Sequence, residues 1–79
     1  MRGLSGKVAI VPGGCTKIGR AVVDAFVAAG TQVMVADITE GGGFPDGVAF
    51  QPCDLREDAQ ISDLVRATQD RFGRIDFLV

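Results

Sequence analysis

The segment that most constrains the fold runs from residue 7 to residue 20, Lys-Val-Ala-Ile-Val-Pro-Gly-Gly-Cys-Thr-Lys-Ile-Gly-Arg. Val8 to Val11 is a short apolar run rich in β-branched residues, the pattern of a strand buried on both faces. A cluster of turn formers follows, and an apolar pattern at helical spacing begins at Ile18. The local prediction is strand, glycine-rich turn, helix. Such a turn leaves backbone N–H groups aimed outward beside the positive end of a helix dipole, where an anion such as phosphate is stabilised. Gly13 and Gly14 can supply positive φ angles and a close backbone approach, and Gly19 lets the helix pack against the strand. By itself the pattern also fits a helix-capping loop without a ligand.

The remaining chain has to decide between these readings. At 79 residues it makes one small domain at most, of a size that buries only about 60% of its unfolded surface. An apolar fraction of 47% and a charged fraction of 23% are those of an ordinary globular protein and exclude global disorder. The net charge of −2 is unevenly spread. Arg2, Lys7, Lys17 and Arg20 precede Ala36 with only Asp24 against them, whereas nine acids and four arginines follow from Asp37 onward. The basic end surrounds the glycine turn, yet four cations are too few for a nucleic-acid surface. No run approaches the 18 or so apolar residues of a membrane span, and no signal pattern opens the chain, so a cytoplasmic location is expected. Cys15 and Cys53 lie far apart, and the chain has no histidine, so neither a CxxC redox pair nor a zinc site is expected; both thiols read as reduced and structural.

In chain order, Lys7 to Val11 reads as the first strand, stopped by Pro12, which has no ladder donor. Ile18, Ala21, Val22, Ala25, Phe26 and Ala29 form one helical stripe, closed by Gly30. Gln32 to Ala36 reads as a second buried strand ending at Asp37. Thr39 to Gly47 is too rich in glycine and proline for a helix and reads as a loop. Val48 to Gln51 gives a short third strand. Arg56 to Phe72 gives a second amphipathic helix with Ala59, Ile61, Leu64, Val65, Thr68 and Phe72 on its apolar side, ended by Gly73. Asp54 and Glu57 have the spacing of a capping box. Ile75, Phe77, Leu78 and Val79 begin a fourth strand. Alternating strands and helices predict a parallel α/β sheet of Rossmann-like type, strand order 3-2-1-4, with two main helices and an incomplete far side.

In that order the glycine turn, Asp37 and Asp54 all stand at the C-terminal ends of strands and share a crevice. An acid about 18 residues after the turn glycines is placed to accept hydrogen bonds from ribose hydroxyls, although Asp also commonly opens a plain loop. Its charge repels a 2′-phosphate, and the neighbouring Ile38 adds no cation, which favours NAD over NADP.

With these residues in place, the chain resembles the short-chain dehydrogenase/reductase family. The lead-in Leu4 to Val11, the turn, Asp37, Cys53-Asp54-Leu55 and the ending Phe72-Gly73-Arg74-Ile75-Asp76-Phe77-Leu78-Val79 match that family's N-terminal part in order, over nearly the whole chain. The resemblance implies that the turn from Gly13 through Gly14, Cys15, Thr16, Lys17 and Ile18 to Gly19 shapes a pyrophosphate loop. It also implies that Asp37 and Ile38 bind the adenosine ribose and that Asp54 with Leu55 contacts adenine. Ile18 has two readings, behind the nicotinamide side of the turn or as a helix-face core residue; Asp54 can equally be a helix cap.

Three departures from the family stand out: Pro12 in place of the usual Thr, Lys17 in place of a second Gly, and the Thr39–Gly47 loop in place of a helix. The resemblance implies residues 1–79 to be the N-terminal part of one dinucleotide-binding domain from a homo-oligomeric NAD-dependent oxidoreductase, which transfers hydride between nicotinamide and an alcohol or carbonyl. The family's Asn-Asn-Ala-Gly segment and its Ser, Tyr and Lys catalytic residues lie beyond Val79, and the chain has no tyrosine. These residues alone are therefore expected to bind and not to catalyse. A non-catalytic nucleotide-binding module and a non-functional truncated product remain as alternatives.

Overall fold

A computed structural model of the chain describes residues 5–13, 17–38, 43–45 and 47–79. The order of elements is β1 (Val8–Pro12), α1 (Lys17–Ala28), β2 (Gln32–Asp37), β3 (Val48–Pro52), α2 (Asp58–Phe72) and β4 (Phe77–Leu78). The strands form one parallel sheet in the order β3-β2-β1-β4, as the alternation of strand and helix patterns predicts. Ile10 stands opposite Met34, and Met34 opposite Ala49.

Because successive strand residues point to opposite faces, the buried runs Val8–Val11 and Val33–Ala36 require cover on both sides. On one face Ile10, Met34, Ala36 and Cys53 pack with Leu64, Ala67 and Phe72 of α2. On the other, Val11, Val33 and Val35 pack with Val22, Val23, Phe26 and Val27 of α1. Phe26 also stacks on Phe77, ring centres 6.0 Å apart, which ties α1 to β4.

The face that α1 buries is rotated from the expected stripe: Val22 and Phe26 pack on the core as expected, but the rest of the stripe does not. Gly19 and Val23 are fully buried, while Ala21 and Ala25 are exposed and Ile18 is 82% exposed. The core reading of Ile18 is therefore wrong. The helix is apolar around most of its circumference, so two adjacent stripes satisfy the periodicity. The one carrying Val23 and Val27 removes more apolar area from water than the one carrying alanines, and Gly19 admits the first turn close to the sheet. Gly30 ends the helix as expected, with φ +82° and with Thr31 N–H donating to the Phe26 carbonyl at 2.9 Å.

In α2, Leu64 and Thr68 are buried, and the Thr68 hydroxyl donates to the Leu64 carbonyl at 2.7 Å, which satisfies the buried oxygen. Ala59, expected on the apolar side, is exposed in the first turn. Gly73 terminates the helix in the left-handed conformation, its N–H donating to the Gln69 carbonyl.

Pro12 does not stop β1 short; it is the last residue of the strand, opposite Ala36. The Val8 and Ile10 carbonyls accept from Asp76 and Val79 on the β4 side, whereas Gly13 N–H donates to Ala36 on the β2 side. The alternation therefore turns the proline nitrogen toward β4, past the paired residues, where the ladder to β2 loses nothing. The described part of the β2–β3 connection contains no helix. It is held instead by Phe44, which packs on the α1-side core, and by Arg20, whose guanidinium lies 4.2 Å from the Phe44 ring centre and donates to the Gly43 carbonyl at 2.7 Å.

The sheet is open at β4. Leu78 is 72% exposed, and an apolar cleft of about 340 Å³ lies between α2 and the ends of β1 and β4, lined by Ile10, Pro12, Ile61, Val65, Leu78 and Val79 among others. At the opposite end of the sheet, Asp76 accepts the Val8 N–H at 2.9 Å and pairs with Arg74 through both carboxylate oxygens.

Two outcomes follow from this packing. Val23→Ala should destabilise the chain by about 2 kcal/mol through a cavity at the α1–sheet contact, whereas Ile18→Ser should stay within about 0.5 kcal/mol; equal losses in urea unfolding would restore the stripe through Ile18. The Arg74 hydrogen bond holds the Asp76 carboxyl below the usual carboxylate range. Its stabilisation is therefore present above a pH of about 4 and is lost as the pH falls through the lower folded value. Unfolding measured across pH 2–7 should show Asp76→Asn less stable than the parent near neutrality, with the gap closing in acid.

Candidate functional site

Parallel strands place all their C-terminal ends at one edge of the sheet, so the residues leaving β1, β2 and β3 converge whatever their distance in sequence. Gly13, following β1, has φ +71° and donates its N–H to the Ala36 carbonyl at 2.7 Å. Cys53, following β3, donates its N–H to the Asp37 carbonyl at 3.0 Å. These two bonds fix the ends of three adjacent strands side by side. Between them lies a shallow pocket of about 200 Å³, lined by Gly13, Ala36, Asp37, Ile38, Cys53, Asp54, Leu55 and Arg56.

Four of the sequence-predicted site residues from β2 and β3, Asp37, Ile38, Asp54 and Leu55, thus share one pocket with Gly13. Asp37 is half-buried, while Ile38 and Leu55 are exposed apolar side chains. Lys17 is the first residue of α1 and is exposed, Ile18 beside it is exposed, and Gly19 is buried. Gly14, Cys15 and Thr16 fall outside the described residues. Among the described residues, and apart from its chain neighbours, nothing lies within 4 Å of a Cβ added at Gly13. A group could approach closely at that position, though the positive φ disfavours any side chain.

Asp54 behaves differently from the expected capping residue. The residue before α2 is Glu57, in extended conformation and with no side-chain cap. The Asp54 carboxylate instead turns to Arg56, accepting its backbone N–H and Nε on Oδ1 at 3.0 Å each and Nη2 on Oδ2 at 2.8 Å. The capping box does not form because the forked guanidinium two residues away outcompetes a single N–H further on. These hydrogen bonds, the side-chain ones foremost, hold the Asp54 carboxyl down at about 2. Gln60 completes the corner: its Oε1 accepts the Asp54 N–H at 2.7 Å, and its carbonyl accepts the Cys53 thiol at 3.6 Å. Burial, followed by the charges of Asp54 and Asp63, pushes the Cys53 thiol up. It is an inert packing residue and not a nucleophile.

Of the three pocket residues that pattern reading passed over, Ala36, Cys53 and Arg56, only Arg56 is charged. Its signal is the Asp-x-Arg spacing, since Asp readily bonds the backbone two residues on and brings that side chain alongside. The arrangement sets Gly13 at the end of β1, a carboxylate at the end of β2, and exposed apolar side chains next to a second carboxylate held by Arg56. Among the described residues, no helix is long and apolar enough to cross a membrane.

Comparison with known proteins agrees with this geometry. The family model for short chain dehydrogenase matches residues 7–79. L-fucose dehydrogenase of Mus musculus is 41% identical over 95% of this chain and 29% of its own length. 2,5-dichloro-2,5-cyclohexadiene-1,4-diol dehydrogenase of Sphingobium indicum is 39% identical over 96% of this chain and 33% of its own. Among solved structures, the 3-ketoacyl-(acyl-carrier-protein) reductase of Brucella melitensis, complexed with NADH, superposes with a TM-score of 0.89 at 26% identity, over 95% of this chain and 34% of that one. The chain thus spans about a third of the length of the relatives it matches. With the family model covering all but the first six residues, the chain belongs to the short chain dehydrogenase family.

Proposed function

We propose that residues 1–79 are the N-terminal part of a single dinucleotide-binding domain and that the crevice at the C-terminal sheet edge holds the ADP portion of a nicotinamide dinucleotide, NAD in preference to NADP. The observation that carries this reading is the convergence of Gly13, Asp37 and Asp54 on one open pocket. In this reading the turn Gly13-Gly14-Cys15-Thr16-Lys17-Ile18-Gly19 receives the pyrophosphate at the start of α1, where the helix dipole favours an anion. Asp37 accepts the ribose hydroxyls, with Ile38 against the sugar. Leu55 packs on the adenine ring, and Asp54 accepts from its edge. Asp37 opposes a 2′-phosphate by charge repulsion, which is the reason for preferring NAD. The exposed Lys17 ammonium supplements the helix dipole at the pyrophosphate.

The bound cofactor supplies hydride chemistry. This chain's own residues bind and orient it, and the family's catalytic Tyr has no counterpart among them, since the chain contains no tyrosine. The parent polypeptide is an oxidoreductase acting on an alcohol or carbonyl, and the present residues bind cofactor without turnover. Its similarity to dehydrogenases and to a reductase complexed with NADH supports this assignment. The free, buried Cys53 suits the reducing cytoplasm.

Calorimetric titration of the 79-residue chain with NAD and NADP tests the reading. NAD should bind more tightly, and Asp37→Ala should weaken it by about tenfold, the worth of hydrogen bonds to one charged group, while narrowing the gap to NADP. Lys17→Gly should weaken both dinucleotides by about threefold and flatten the salt dependence, as expected for an exposed charge. A folded chain that binds neither dinucleotide overturns the assignment.

A further inference from the structure

Asp54 is fixed by hydrogen bonds at its backbone and at its carboxylate. Its backbone N–H is fixed by Gln60, its carbonyl accepts the Glu57 N–H at 3.0 Å, and its carboxylate takes three hydrogen bonds from Arg56. A carboxylate offers about four acceptor directions. Arg56 uses both on Oδ1 and one on Oδ2, which leaves a single acceptor direction, on Oδ2. The group is thus reduced from a rotating acceptor to one with a fixed heading, while the side chain that fixes it stays 83% exposed and takes no part in the core.

We propose that Arg56 is a positioning residue that sets which purine the pocket accepts: by clamping both oxygens of Asp54 it selects a 6-aminopurine dinucleotide and rejects the 6-oxopurine analogue. The inference rests on the assignment of the pocket to the adenine end of a dinucleotide. A 6-aminopurine presents an N–H at position 6, matched to one fixed acceptor. A 6-oxopurine presents a carbonyl oxygen there, which the carboxylate repels, and its nearest donor, N1–H, lies one atom further round the ring. An unclamped carboxylate can swing to N1–H and recover a hydrogen bond. Asp54 in the Arg56 fork cannot do so without breaking bidentate, charge-assisted bonds. Discrimination therefore comes from the rigidity of the acceptor as well as from its charge. Near neutral pH Asp54 is a carboxylate and offers no donor to a 6-oxo group.

The test compares binding of NAD and of nicotinamide hypoxanthine dinucleotide to the 79-residue chain and its variants. The parent should favour NAD. Arg56→Ala should narrow the ratio by about fivefold or more, on the scale of one hydrogen bond to a charged group, with weaker NAD binding and a relative gain for the hypoxanthine analogue. Arg56→Lys keeps the cation but not the fork, and should lose discrimination while keeping the salt dependence of binding. The thermal midpoint should hardly move in either, because exposed ion pairs add little to stability. In an Asp54→Ala background, Arg56→Ala should leave the ratio unchanged. An unchanged ratio in Arg56→Ala, or full discrimination in Arg56→Lys, overturns the role of Arg56 while leaving dinucleotide binding intact. A folded parent chain that binds neither ligand overturns the pocket assignment and this inference together.

Discussion

The structure depends on the parallel pairing of β1 with β2. Every residue from Val8 to Val11 and from Val33 to Ala36 is buried, so the pair cannot exist without apolar cover on both faces. One helix supplies each cover, α1 from the β1–β2 crossover and α2 from the β3–β4 crossover. The same pairing aligns the C-terminal ends of the strands, and the pocket forms at that edge because glycine, aspartate and aspartate follow three neighbouring strands. Packing and binding thus have one cause, a sheet whose strands all run the same way.

Burial falls away from this centre. All four residues of β3 before Pro52 are half-buried, and Leu78 and Val79 at the β4 side are exposed beside an apolar cleft larger than the pocket at the C-terminal edge of β1–β3. The β2–β3 connection compensates locally: Phe44 covers part of the α1-side face, and Arg20, one turn into α1, holds Phe44 and Gly43 in place. A small domain with about 60% of its surface buried has little stability to spare. Clamps of this kind, the Arg74–Asp76 fork included, therefore matter more here than in a larger protein.

The polar corner at Asp54 shows how local chemistry overrides a spacing rule. Asp54 and Glu57 stand three apart, as a capping box requires, yet Arg56 lies closer and offers a fork in place of a single donor. The consequence reaches the pocket, because the carboxylate that a cap would have turned into the helix is held at the rim instead.

Much of the fold is legible in the residue order. β-branched runs of strand length, a glycine turn after the first, glycines at helix ends and acids after the second and third strands specify a parallel sheet of order 3-2-1-4 and the residues at its C-terminal edge. These are local or periodic properties, and the physics behind them acts over a few residues. Two other features were settled only by tertiary structure. The face of α1 was decided by which stripe buries more area, because Ile18, Ala21 and Ala25 are as periodic as Gly19, Val23 and Val27, and only contact with the sheet separates them. The partner of Asp54 was decided by side-chain geometry at the start of α2, because residue spacing records which groups can meet and not which of the competing hydrogen bonds is stronger.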